Sequence, residues 1–265
     1  LRGSNGVYFS MAEIIAVVNQ KGGVGKTTTA VNLGAALANF GKFILLVDID
    51  PQANATSGLG VDYQNLNLGV YEAMIGHQPL KNVILKTAVP GYKIAPTTTA
   101  LAGANIELIN LEDREYKLHQ TLLEVRNDYD YILIDCPPSL GILTINGLVA
   151  ADKVLIPVQS EYYALEGLGQ LLRTVRLVQE NLKPDLEIMG AVITMFDKRN
   201  SLSQQVLEEL YKHFPYQIYR SIIPRNVRLT EAPSHGLSIF NYDPKSKGAK
   251  AYERLAREVL NIGFL

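Results

Sequence analysis

Two lysines five residues apart, Lys21 and Lys26, bracket three glycines in the stretch VVNQKGGVGKTTTA, residues 17–30. A glycine lets the backbone take angles and approach distances that a Cβ forbids. Gly25-Lys26-Thr27 is the right-hand end of the phosphate loop G-x-x-x-x-G-K-[ST]. The left-hand glycine of that pattern falls on Gln20, and an extra cation, Lys21, follows it. In such a loop the backbone N–H groups of Gly22, Gly23, Val24, Gly25 and Lys26 curl round a phosphate. The positive end of the next helix adds to the attraction. Lys26 would reach the β- and γ-phosphates of a nucleotide, and the Thr27 hydroxyl would ligate Mg2+.

Three aspartates belong to the same chemistry. LLVDID places Asp48 and Asp50 at the end of one apolar run, and YILID places Asp135 at the end of another. Ligands of open parallel sheets bind beyond the carboxyl ends of the strands. Beside a phosphate loop, Asp135 is the expected second holder of Mg2+, through a water. Asp50 is the candidate to position the attacking water and a further metal candidate. Taken singly, each aspartate reads equally well as a turn or cap residue; their joint placement points to catalysis.

The elements that must hold these residues alternate in type. EIIAVVN (13–19), FILLVDID (43–50), YDYILIDCPP (129–138) and KVLIPVQ (153–159) read as buried strands. LEIMGAVITMF (186–196) and YQIYRSIIP (216–224) follow the same reading. Helical periodicity covers 27–40, 164–182, 201–214 and 247–263. Strands apolar on both faces, alternating with helices, predict an α/β fold of three layers: a mainly parallel sheet with helices on each side. Residues 60–128 are the least legible, with short elements and loops.

Composition narrows the classes. The chain has 265 residues, a formal charge of −1 and one cysteine, Cys136. One cysteine excludes a disulfide framework within the chain and suits a reducing cytoplasm. No run of about 18 apolar residues predicts a membrane span. Residues 1–10 read as an extension ahead of Met11, with a single domain over 11–265. Charge is uneven: residues 1–197 carry a net −6 and residues 198–265 a net +5.

The loop KGGVGKTT is the deviant form of the Walker A motif. With VDIDPQANATSGLG (47–60), YILIDCPPSLG (131–141), PVQSEYYALEGL (157–168) and IPRNVRLTEAPSHG (223–236), it closely resembles the ParA/Soj chromosome- and plasmid-partitioning ATPases. The resemblance spans residues 11–263. It implies a P-loop NTPase fold using ATP, ADP and Mg2+, and a sandwich homodimer formed with ATP. Lys21 then resembles the signature lysine that contacts phosphates held by the other subunit. Such a cation offsets the charge of two facing nucleotides, as an arginine finger does. The catalytic set implied is Asp50, Lys21 and Lys26. Thr28 would bind the α-phosphate, and Pro224, Arg225 and Asn226 would lie near the adenine.

The resemblance also implies that the ATP dimer binds double-stranded DNA without sequence preference. Arg199 and Arg228 match positions implicated in that binding, and Lys245, Lys247 and Lys250 lie on a nearby basic segment. It further implies a ParB-type partner that stimulates hydrolysis, and a cytoplasmic, nucleoid-associated location. A MinD-type ATPase that binds membrane through an amphipathic C-terminal helix is the main alternative; YERLAREVLNIGFL is amphipathic and includes Phe264. A nitrogenase-type iron protein needs two cysteines per subunit and is rejected. A biosynthetic ligase with the same loop, such as dethiobiotin synthetase, has no marked substrate pocket in the sequence.

Overall fold

The apolar runs become strands, most of them trimmed at the ends. A computed structural model describes residues 11–161 and 164–263, without the side chains of Asn105, Ala164, Leu165 and Glu166. The strands are β1 (Glu13–Val17), β2 (Ile44–Asp48), β3 (Leu85–Lys86), β4 (Tyr92–Ala95), β5 (Tyr131–Asp135), β6 (Lys153–Gln159) and β7 (Glu187–Thr194). Among the described residues they form one seven-stranded sheet in the order β3-β4-β2-β5-β1-β6-β7. Only the β3–β4 pair is antiparallel. The first two-thirds of the chain supplies α1 (Lys26–Asn39), α2 (Asn54–Gly58), α3 (Val70–Met74), α4 (Ala104–Glu107), α5 (Lys117–Leu123) and α6 (Ile142–Ala150). The remainder supplies α7 (Ala164–Asn181), α8 (Ser201–His213), α9 (Val227–Glu231), α10 (Ile239–Tyr242) and α11 (Lys247–Val259).

Period-two alternation explains why the strands are apolar on both faces. In β1, Ile14 and Ala16 join a core with α3, α5, α6, α7 and α8, whereas Ile15 and Val17 join a second core with α1, α10 and α11. The sheet thus lies between two helical layers, as the sequence predicts. α1 begins at Lys26, within a residue of expectation, and ends where Gly41 turns the chain at φ 79°. α11 stops at Val259, short of the expected 263.

Two departures follow from pairing that a sequence does not display. The run 216–224 is not a regular strand; it meets β7 through two isolated bridges, Ala191 with Ile218 and Phe196 with Pro224. Its hydrogen bonds still occupy the sheet edge, with Ala191 N donating to Gln217 O at 2.8 Å and Ile223 N to Ile193 O at 2.8 Å. A covered edge cannot recruit a further strand. In the poorly legible stretch, β4 is an interior parallel strand only four residues long, beside β2.

One contact ties the two ends of the chain. Gly60 (φ 80°) and Gly236 (φ 66°) take left-handed angles and press backbone to backbone. A Cβ on Gly236 would lie 2.6 Å from the Cα of Gly60, closer than atoms pack. The segment after β2 is thereby seated against the segment after α9.

Candidate nucleotide site and basic groove

The phosphate loop joins β1 to α1 at the centre of the sheet, where strand order reverses. Open α/β sheets bind ligands at that crevice. Gly23 (φ 73°) and Gly25 (φ 86°) adopt angles that residues with a Cβ rarely take. The loop is braced from the neighbouring strands. Asn19 Nδ2 donates to Pro157 O at 2.7 Å, Lys21 N to Asn19 Oδ1 at 3.0 Å, and Thr194 Oγ1 to Val24 O at 2.7 Å. No side chain caps α1, and its first turn holds no acid. Its N–H groups and positive dipole end therefore face the crevice uncompensated, a ready anion site.

Lys26 is buried, 6% exposed, with Nζ donating to Lys21 O at 3.1 Å. Burial lowers its pKa, and Asp135 and Asp50 oppose the shift. Lys21 reaches the opposite way. Its Nζ pairs with Glu161 Oε2 at 2.8 Å, and Gln159 Nε2 fixes the other carboxylate oxygen at 2.6 Å. A Cβ built on Gly22 meets nothing within 4 Å. No group of this chain therefore demands glycine there. Of the motif that carries Glu161, Tyr162 and Tyr163 lie outside the described residues.

The three aspartates sit together because β2 and β5 pair in register, Asp48 opposite Asp135. Their roles separate by bonding. Asp48 is fully buried and saturated: it accepts from Asp50 N (3.1 Å), Thr56 N (2.9 Å) and Thr56 Oγ1 (2.6 Å). Burial pushes its pKa up to about 6 against the pull of the Thr56 bonds. Asp50 is 5% exposed and its Oδ1 accepts from Gln52 N at 3.0 Å. Both oxygens of Asp135 are buried without a hydrogen-bond partner. Burial, then Asp48, raises its pKa well above the carboxylate range, opposed in part by the Thr27 side chain.

An orphaned carboxylate costs free energy in any protein interior, and a cation near Asp135 and Thr27 would remove that cost. Among the described residues no three acidic, His or Cys groups converge as a cage. That donor set fits Mg2+, which keeps waters and shares phosphate oxygens with one or two protein groups.

Five of the sequence's eight adenine and DNA candidates line two neighbouring hollows; Asn226, Arg228 and Lys245 line neither. Arg225 lines a pocket of about 310 Å³ with Glu161, Met195 and Asp197. It also lines a groove of about 920 Å³ that contains Pro224, Arg199, Lys247 and Lys250. Lys198, Arg220 and Arg254 complete the groove, and Asp197 is the acid lining it. Asn226 caps α9 by accepting from Arg228 N at 2.9 Å. Arg228 and Lys245 are not among the groove's lining residues. Arg228 Nη1 pairs with Glu231 at 2.8 Å, and its Nε lies 3.5 Å from Asp243. Lys198, Arg220 and Arg254 were not singled out in the sequence. Only Arg254 left a signal there, three and four residues being helical spacings from Lys247 to Lys250 to Arg254.

The C-terminal helix places its apolar side inward. Tyr252 and Leu255 are 1% and 0% exposed, and Val259 and Leu260 pack against the same core. That face is therefore not free to enter a membrane interface; Phe264 lies outside the described residues. No described helix is long and apolar enough to cross a membrane.

Fold and site together define an α/β protein with a phosphate loop of the two-lysine form. The AAA domain family model matches residues 12–188. The sporulation initiation inhibitor protein Soj of Bacillus subtilis is 57% identical over 253 residues, covering 96% of this chain and 100% of that protein. The chromosome partitioning protein ParA of Myxococcus xanthus is 49% identical, covering 98% and 91%. A crystal structure of cobyrinic acid a,c-diamide synthase from Mycobacterium smegmatis with bound ADP and magnesium superposes with a TM-score of 0.85. It is 39% identical and covers 95% of each chain. The chain belongs to the ParA/Soj family of P-loop ATPases.

Proposed function

We propose that the chain is an ATP-dependent DNA-segregation ATPase that binds ATP with Mg2+, pairs with a second copy and then holds DNA without reading its sequence. Hydrolysis, stimulated by a ParB-type partner, releases the DNA and drives chromosome or plasmid partitioning at the nucleoid. The reading rests above all on Arg225 and Asp197, which line both the pocket at Glu161 and the basic groove. Glu161 in turn holds Lys21 of the phosphate loop. Nucleotide and DNA would thus act on adjoining surfaces.

In this mechanism the N–H groups of residues 22–26 cradle the phosphates. Lys26 balances the β- and γ-charges and Thr28 holds the α-phosphate. Thr27 and Asp135 would hold Mg2+, Asp135 through a water, with Asp50 beside them. The bound Mg2+ supplies neutralisation of phosphate charge. Asp50 orients the attacking water. Lys21 leaves Glu161 and crosses to the partner's nucleotide, where its charge stabilises the transition state. Gly22, bare toward its own chain, leaves room for the facing backbone. Pro224, Arg225 and Asn226 border the adenine.

DNA affinity comes from phosphate contacts by Arg199, Arg228, Lys245, Lys247 and Lys250 and by the groove's other cations. Two copies aligned by ATP make the second contact at high effective concentration. The test is gel filtration and filter binding of unrelated duplexes with ATP and with ADP across a salt series. ATP should give a dimer and DNA binding that falls steeply with salt, about 0.9 log units per log unit of salt for each phosphate contact. Equal DNA affinity in the two nucleotide states overturns the reading. The biosynthetic name of the structural relative favours no second reading here, because the 920 Å³ groove is lined by seven cations and one acid.

A further inference from the structure

Asp50 does not stand on a strand. It sits two residues past the end of β2, on a loop that must hold it still for a water to be aimed. That loop takes an unfavourable path, with Ala53 at φ 55° in the left-handed region. Within the loop, Ala53 N donates to Asp50 O at 2.9 Å and Gln52 N to Asp50 Oδ1 at 3.0 Å. Those bonds move with the loop and cannot anchor it to the sheet.

At its start the loop is held to β5 by Ile49 N, which donates to Asp135 O at 3.1 Å; its far end is held at Thr56. Its hydroxyl donates to Asp48 Oδ2 at 2.6 Å and accepts from Thr97 N at 3.0 Å; its amide also donates to Asp48 Oδ2, at 2.9 Å. Asp48 ends β2, and Thr97 follows the adjacent strand β4. One hydroxyl thus joins the ends of two neighbouring strands to the loop. The carboxylate that receives it also receives Asp50 N, at 3.1 Å. Asp48 and Thr56 are both fully buried, so these bonds face no competition from water. Bonds to a carboxylate are the short, strong kind. Asp48 itself presents no free oxygen to a substrate.

We propose that Thr56 is a positioning residue for ATP hydrolysis: its hydroxyl, set between Asp48 and the Thr97 amide, fixes the loop that aims Asp50. The inference rests on the reading of Asp50 as the residue that orients water. It differs from a packing role in what it predicts. Loss of the hydroxyl should let the loop shift while the phosphate loop, on β1 and α1, stays in place. Misplacement by about an ångström costs on the order of 100-fold in rate.

The experiment compares Thr56→Val, Thr56→Ser and Asp50→Ala in the full chain. It measures single-turnover hydrolysis, affinity for a fluorescent ATP analogue, and thermal melting. Thr56→Val should lose at least tenfold in rate with nucleotide affinity within twofold of the unmodified chain. Thr56→Ser, which keeps the hydroxyl and drops the methyl, should restore the rate to within threefold. Should Thr56→Val not fold, Thr56→Cys replaces it; its thiol fills the site but donates weakly, and the same split is expected. Hydrolysis within twofold of normal in the valine or cysteine variant, with Asp50→Ala inactive, overturns this inference and leaves Asp50 in its role. A serine variant as slow as the valine variant also overturns it, since the methyl and not the hydroxyl then matters. Normal turnover in Asp50→Ala overturns the reading of Asp50 and this inference with it.

Discussion

The phosphate loop and the basic groove both gather positive charge, yet by opposite means. The loop uses consecutive backbone amides, a helix end and one buried lysine, all within residues 21–28. The groove uses exposed side chains drawn from the end of β7, the 216–224 segment and α11. Backbone donors held at fixed spacing recognise one phosphate group in one pose. Flexible cations on separate elements attract a polyanion in many registers. The first arrangement suits a nucleotide that must be aligned for chemistry, the second a duplex held without regard to sequence.

The comparison breaks most severely at Lys26. Lys26→Ala removes the buried cation, and a hydrogen bond to a charged group contributes roughly 1.5–3 kcal/mol. ATP affinity should fall about 10- to 100-fold, read by titration calorimetry, and ATP-dependent DNA binding should vanish with it. Among the cations of the groove, and at Arg228 outside it, no single residue should matter so much. Replacing Arg199 and Arg228 together by alanine should flatten the salt dependence by about two phosphate contacts. All duplexes should weaken alike, with ATP affinity unchanged; filter binding checks this. Both arginines are already paired with carboxylates, but exposed pairs are weak and exchange readily for phosphate. The smallest effect is expected at Asp197. Its carboxylate is held near a pKa of about 2 chiefly by hydrogen bonds from Arg199. Asp197→Asn should strengthen DNA binding by roughly two- to fivefold at low salt, and the gain should disappear as screening shortens the reach of charge.

The same contrast decided what the sequence could disclose. The loop was legible because its chemistry is local: spacing alone located Lys21, Lys26 and Thr27, and an apolar strand on one side with a helix on the other supplied context. The strands were legible for a related reason, since burial on both faces leaves continuous apolar runs. β4 was not, because four residues after a turn at Gly91 carry too short a pattern. The groove was half legible. Lys247 and Lys250 stood out on a basic helix, but Arg220 and Arg254 are 34 residues apart and meet only through the packing of α11 beside the 216–224 segment. Thr56 lay inside the motif of residues 47–60 with no role attached to it. A hydroxyl in NATSG reads as a turn residue until Asp48 and Thr97 are seen on either side of it.

The glycine contact between residues 60 and 236 has a consequence for shuffling parts among relatives. Because a Cβ on Gly236 would overlap the Gly60 backbone and one on Gly60 would press on Gly236 O at 3.1 Å, the two segments behave as a matched pair of gauge blocks. A chimaera that borrowed residues 50–60 from one parent and 225–236 from another would inherit two surfaces never fitted to each other. The loop after β2 and the segment after α9 are therefore a single unit of exchange, although 164 residues of chain lie between Gly60 and Arg225.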